Sequence, residues 1–225
     1  MEDARAYEEL RVGFTAAVSH ELRTPLARLL ALLESASLPD ADTEALLAQA
    51  REQVEEMSEL VDDVLFLSEL ESGREVVALG STAALPVLED VRDRLADSAE
   101  RADVTIRIAA DAEVELPLRR RMLQIIAENL VENSIRYAGP GSTLTLSAGN
   151  GVLTAADDGR GVEEDELPRL FERFYRSDRA RASRGTGLGL AIVKHVVTAA
   201  GGEVEATGGP GHGLTVTCSF MSAPG

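Results

Sequence analysis

At 225 residues and 44% apolar content, the chain has the make-up of one large folded domain or two small ones, and it is too apolar to stay disordered. Its 39 acidic against 22 basic residues leave a net charge of −17, which repels phosphate backbones and argues against nucleic acid as a partner. The lone Cys218 excludes an intrachain disulfide framework and fits a buried thiol in a reducing compartment, and no apolar run approaches the roughly 18 residues that span a bilayer.

The acidic opening, MEDARAYEEL, lacks the apolar core of a signal peptide. Up to Ser72 there is one Gly, Gly13, and two Pro, Pro25 and Pro39, among residues that mostly favour helix. Leu10, Phe14, Val18, Leu22, Leu26, Leu29 and Leu33 recur at spacings of three or four and mark one face of a first helix. SASLPDAD breaks that pattern. Leu47, Ala50, Val54, Met57, Val61 and Val64 then give a second helix with a 3.5-residue repeat, widened by Leu60, Leu65 and Leu67. Two such helices and a short loop make an antiparallel hairpin. It cannot bury its own stripe, so two copies are expected to associate as a four-helix bundle.

On the first helix, His20 points about 160° away from both Leu22 and Val18 and so faces solvent. Thr24 shares its face one turn on, and Glu21 next to it can orient or deprotonate the imidazole. An imidazole nitrogen is a competent nucleophile near neutral pH once an acceptor holds the other nitrogen. Pro25 removes a backbone hydrogen bond just beyond. From position alone, His20 is either a reactive group or a solvated bystander.

ESGREVVALGST reads as a linker, after which the periodicity changes. VTIRI alternates like a strand, and LPLRRRMLQIIAENLVENSIRYAG reads as a helix ending at Gly139. TLTLSAGNGVLTAADD is a hairpin through Gly149-Asn150-Gly151. PRLFERFYRSDRARASRG is charged and irregular. GLGLAIVKHVVTAAGG is a helix with glycines at both ends, and EVEATGGPGHGLTVTCSF is a second hairpin. These elements make one α+β domain with helices against a mixed sheet. The expected organisation is therefore a hairpin over 1–72, a linker over 73–80 and a second domain over 81–225. His195 and His212 read as structural or surface residues.

Five stretches in one order carry a resemblance. SHELRTPLARLL resembles the phosphoacceptor box of two-component sensor histidine kinases, in their commonest dimerisation-domain type. By that resemblance His20 is phosphorylated, Glu21 is the adjacent general base, and Thr24 positions water when the enzyme dephosphorylates its partner. ENLVENSIRY resembles the family's asparagine box, DDGRG its first glycine box, RLFERFYR its phenylalanine box and GTGLGLAIVK its second glycine box. The resemblance implies a Bergerat-type α/β sandwich that binds ATP and Mg²⁺. Asn129 and Asn133, four apart on one helix face, would ligate Mg²⁺ through amide oxygens. Arg136 and Tyr137 would meet phosphate and the sugar or base. Asp157 would accept from the adenine amino group, with Gly159 and Gly161 allowing close approach. Gly185, Thr186, Gly187, Leu188 and Gly189 would cradle the phosphates at a helix N-terminus. Phe171 and Phe174 stand at helical spacing in the phenylalanine box, a role compatible with core packing of a short lid helix, and Arg173 and Arg176 add positive charge nearby.

The resemblance covers nearly the whole chain, Arg11 to Phe220. It implies a protein-histidine kinase: a homodimer that autophosphorylates on His20 and passes the phosphoryl group to an aspartate on a response regulator receiver domain. The chain as given reads as cytoplasmic, with any membrane link through a segment it does not contain. Two departures stand out. Leu116-Pro117 replaces the usual Gly-Asp, and Arg184 precedes the second glycine box where a glycine or serine is usual. Two rivals remain. A gyrase-like ATPase shares the nucleotide fold but carries a glutamate at the position of Asn129; here the acid is Glu128, one residue and about 100° away. A degenerate kinase would serve only as a dimeric scaffold.

Overall fold

The computed structural model describes residues 2–39, 41–71, 80–177 and 185–220, with side chains from Ala17 onward except Glu71. The expected linker over 73–80 lies outside the described residues but for Gly80, as does Arg184. The chain divides into two compact units, 1–66 and 67–225.

The first unit is built from α1 (Glu2–Ala36) and most of α2 (Thr43–Glu71). Pro25 sits inside α1 without ending it. The helix stops where Ser35 and Ser37 turn their hydroxyls back to the Ala31 and Leu33 carbonyls, two residues before Pro39. Asp42 starts α2, its side chain accepting from the Ala45 N–H at 3.1 Å.

The hairpin leaves a broad apolar surface open. Leu26, Leu30 and Leu33 on α1, and Leu47, Val54, Val61 and Leu65 on α2, are each 43–57% exposed. The members of the stripe expected on α2 differ in exposure within the single chain. Leu47, Val54 and Val61, seven apart, stay exposed, while Ala50, Gln53 and Leu60 are buried. The 3.5-residue repeat joins two neighbouring faces of one helix, and the buried line passes through a polar residue that a hydrophobic pattern skips.

The second unit is a two-layer sandwich. Its sheet has the order β2-β4-β5-β7-β6, from β2 (Val104–Ala110), β4 (Ser142–Gly149), β5 (Val152–Asp157), β6 (Glu203–Gly208) and β7 (Leu214–Ser219). β2 and β4 run parallel and the other pairs antiparallel. The β4–β5 turn puts both Asn150 and Gly151 at positive φ, 51° and 75°, as a two-residue hairpin with right-handed twist requires. Alternation along the strands sends Leu144, Leu146, Leu153, Val216 and Cys218 to one buried face.

Among the described residues, the α-helices that pack in this unit include α3 (Ala84–Arg101), α4 (Arg120–Tyr137) and α5 (Gly189–Ala199), with α4 in contact with both of the others. α4 buries Leu123, Ile126, Ala127, Leu130 and Val131 on one side. That stripe leaves Asn129, Asn133 and Arg136 on a neighbouring side, at spacings of four and three. The α3 helix and the short pair β1 (Thr82–Ala83) with β3 (Glu115–Leu116) are absent from the sequence reading.

Candidate functional site

On α1, the His20 side chain is 75% exposed and its Nδ1 lies 3.4 Å from Glu21 Oε1. The contact puts the Glu21 carboxylate beside one ring nitrogen of an imidazole that is largely open to solvent. Thr24 is also exposed. The three residues expected to act together on this helix therefore share an open surface.

The second unit holds an open cleft with a cavity volume of about 160 Å³. One wall is α4, which contributes Asn129, Glu132, Asn133, Arg136 and Tyr137. Asn129 is oriented by its own helix: Nδ2 donates to the Ile125 carbonyl at 2.8 Å, so Oδ1 is the atom left to turn outward. Arg136 Nη2 lies 3.6 Å from Glu132 Oε2, an i,i+4 pair along the cleft wall.

The glycine run 185–189 lies along α4 in the opposite direction. A Cβ at Gly185 would lie 2.9 Å from the Tyr137 hydroxyl, and one at Gly189 would lie 2.7 Å from Asn129 Oδ1. Thr186, Gly187 and Gly189 line the cleft, while Gly185 and Leu188 do not; Leu188 is fully buried and anchors the run. Thr186 Oγ1 accepts from the Leu188 N–H at 3.2 Å and shapes the turn into α5.

At the other wall Gly161 lines the cleft, whereas Asp157 and Gly159 are not among its lining residues. Asp157 Oδ1 accepts from the N–H groups of Gly159 at 3.0 Å and Leu214 at 3.3 Å. Burial pushes the Asp157 carboxyl above its ordinary range, a shift that these two donors oppose. Arg160, exposed between the two glycines, lines the cleft too.

Several cleft residues carry no signal that sequence reasoning used. Glu132 was legible as the neighbour of Asn133. Glu163, Glu166, Leu170 and Tyr175 come from an irregular stretch whose backbone path only the fold reveals. Glu128, the acid that a gyrase-like reading would need, is outside the lining: it is paired with Arg94 of α3 and also accepts from Gln124. Among the described residues, no group of three or more His, Cys, Asp or Glu side chains could hold a metal ion. An amide-lined cleft suits a cation that arrives with phosphates rather than one caged by the protein.

Two family models match the chain. Residues 10–73 match the His Kinase A (phospho-acceptor) domain, and residues 118–224 match the histidine kinase-, DNA gyrase B- and HSP90-like ATPase domain. The signal transduction histidine-protein kinase BaeS of Escherichia coli K12 is 36% identical over 223 residues, covering 93% of this chain and 46% of BaeS. The chain belongs to the two-component histidine kinases and comprises their catalytic core. Among solved structures, the Acinetobacter baumannii histidine kinase AdeS superposes with a TM-score of 0.73 at 26% identity, covering 91% of this chain and 98% of that one. Full-length ShkA in complex with AMPPNP gives a TM-score of 0.62 at 29% identity, covering 93% of this chain and 46% of ShkA. The chain spans about half the length of the curated family members it matches. No described helix is long and apolar enough to cross a membrane.

Proposed function

We propose that this chain is an ATP-dependent protein-histidine kinase that autophosphorylates on His20 and passes the phosphoryl group to an aspartate of a response regulator. The observation that carries the reading is the His20–Glu21 arrangement on an open helix face within the matched phosphoacceptor domain. The Nδ1–H donates toward Glu21, so the lone pair on Nε2 attacks the γ-phosphorus and ADP leaves. Glu21 then offsets the positive charge that develops on the ring. Thr24, exposed on the same face, orients a water that attacks the regulator's aspartyl phosphate, so that the aspartate carboxylate leaves and inorganic phosphate is released.

The cleft of the second unit is assigned to ATP. Asp157 accepts from the adenine amino group, and Gly159 and Gly161 let the base approach. Arg136 and Tyr137 meet phosphate and the sugar or base, and 185–189 cradle the phosphates at the α5 N-terminus. Asn133 and Asn129 would hold Mg²⁺ through amide oxygens. When bound, that ion neutralises phosphate charge. The AMPPNP bound to ShkA supports a nucleotide in this cleft.

The exposed leucine and valine stripe supports a homodimeric four-helix bundle. The domain limits of 1–72 and 81–225 and a cytoplasmic location belong to the same reading. A hydrolase is the second reading, because Glu132 puts a carboxylate on the cleft wall. Its pairing with Arg136, and the removal of Glu128 to Arg94, weigh against it.

The test is incubation with ATP labelled on the γ-phosphate. Acid-labile, base-stable label on the protein supports the kinase. Free phosphate with no protein-bound label supports the hydrolase.

A further inference from the structure

Among the residues that the stretch 162–175 brings to the cleft, Glu166 and Tyr175 touch each other. Glu166 Oε1 accepts from the Tyr175 hydroxyl at 3.2 Å, while its Oε2 accepts from the Glu163 N–H at 3.4 Å. The Arg169 guanidinium sits 4.3 Å from the centre of the Tyr175 ring. The phenol is thus held on its edge and on its face. Burial first, and then the Glu166 carboxylate, raise the Tyr175 phenol above its ordinary range, so it stays a donor.

The residue before Tyr175 is Phe174, with φ at +62°. A side chain of that size rarely takes this conformation, and its surroundings must hold it there. Its N–H donates to the Gly187 carbonyl at 2.9 Å. Gly187 is pressed against the same segment. A Cβ there would lie 2.9 Å from the Phe174 main chain and 3.1 Å from the Tyr175 carbonyl oxygen. One line of contacts therefore runs from Glu166 through Tyr175 and Phe174 to Gly187.

We infer that Glu166 is a positioning residue: through Tyr175 it holds Phe174 in its left-handed conformation and so fixes Gly187 on the phosphate side of the cleft. The inference rests on the assignment of this cleft to ATP. Glu166 acts through the tyrosine, and its charge is not what the nucleotide reads. The carboxylate is needed only as an acceptor, which a glutamine also supplies.

The experiment compares the full chain with Glu166→Gln, Glu166→Leu, Tyr175→Phe and the double variant Glu166→Leu/Tyr175→Phe. Two quantities are read: affinity for ATP with Mg²⁺, and amide hydrogen exchange at Phe174 in the nucleotide-free protein. Glu166→Leu and Tyr175→Phe should each weaken ATP binding about fivefold, the worth of one lost hydrogen bond. The double variant should be no weaker than either single one, because both cut the same line. Glu166→Gln should keep wild-type affinity. Phe174 exchange should speed up in Glu166→Leu and Tyr175→Phe and stay slow in Glu166→Gln. Additive losses, or a Glu166→Gln variant as weak as Glu166→Leu, overturn the inference by showing that the charge itself is read. Unchanged Phe174 exchange in Glu166→Leu also overturns it. If the exchange pattern holds but no chain binds ATP, the brace stands and the assignment of the cleft to ATP fails.

Discussion

Gly189 and Asn129 face each other so closely that a Cβ on the glycine would lie 2.7 Å from the asparagine Oδ1. The asparagine has little room to retreat, because its amide nitrogen is tied to the Ile125 carbonyl. Gly189→Ala must therefore displace the proposed metal ligand or shift the start of α5. Overpacking of this kind costs about 1–3 kcal/mol. The loss should fall on Mg²⁺-dependent ATP affinity, with adenosine binding kept. Titrations of both ligands with and without Mg²⁺ check it; an equal loss for adenosine would show a general collapse of the cleft.

Asp157 is expected to read the base. Its carboxyl is raised by burial, so the folded protein holds the proton more tightly than the unfolded chain does. The ionised form therefore carries an unfavourable contribution to stability. That cost is absent at pH below the unfolded carboxylate range and fully present above the raised folded value. Asp157→Asn should leave the nucleotide-free protein at least as stable at neutral pH while weakening adenosine and ATP binding alike. In the wild type, affinity for both should fall as pH drops through the raised value. Melting curves and titrations across that range test both signs.

Thr24 shares the exposed face of His20. Its hydroxyl can orient water for attack on a docked aspartyl phosphate, a task that His20 phosphorylation does not need. Thr24→Ala should lower phosphatase activity toward a phosphorylated regulator by about 10²-fold or more while leaving autophosphorylation nearly intact. Both rates are measured on one preparation. A parallel fall in the two would show that Thr24 holds the helix before Pro25 instead.

Cys218 is fully buried on β7, and burial pushes its thiol up to about 12. At pH 8 only about one thiol in 10⁴ is ionised, so the native protein should resist iodoacetamide and react fully once unfolded. Rapid native labelling would show that β7 opens locally.

How much of this was open to sequence reading differs from element to element. His20, Asn133 and the glycine run are picked out by the resemblance of the short boxes that hold them, since position alone leaves His20 open between a reactive group and a solvated bystander. The β4–β5 hairpin is legible because Asn150-Gly151 suits both positive φ angles of its turn. α3 escapes notice although Val87, Leu88, Val91 and Ala99 form a buried stripe; Pro86 looks like a breaker, yet it falls in the first turn, where no helix bond is lost. β1 and β3 are two residues each, too short for any alternation to register. The Glu166–Tyr175 contact joins residues nine apart across an irregular path, and the Arg94–Glu128 pair joins two helices 34 residues apart. Neither has a periodic signature. The split of the α2 stripe is hidden for another reason, since exposure depends on what packs beside the helix and not on its repeat.

In the proposed reaction the cleft holds ATP so that His20, and not water, receives the phosphoryl group. The most direct measurement is transfer from γ-labelled ATP by the wild type and by His20→Gln, with protein-bound label, free phosphate and ATP affinity followed together. Wild type should gain acid-labile label, and His20→Gln should bind ATP normally but gain none and release no phosphate. Label persisting on His20→Gln, or phosphate release at the wild-type rate of ATP use, would contradict the account.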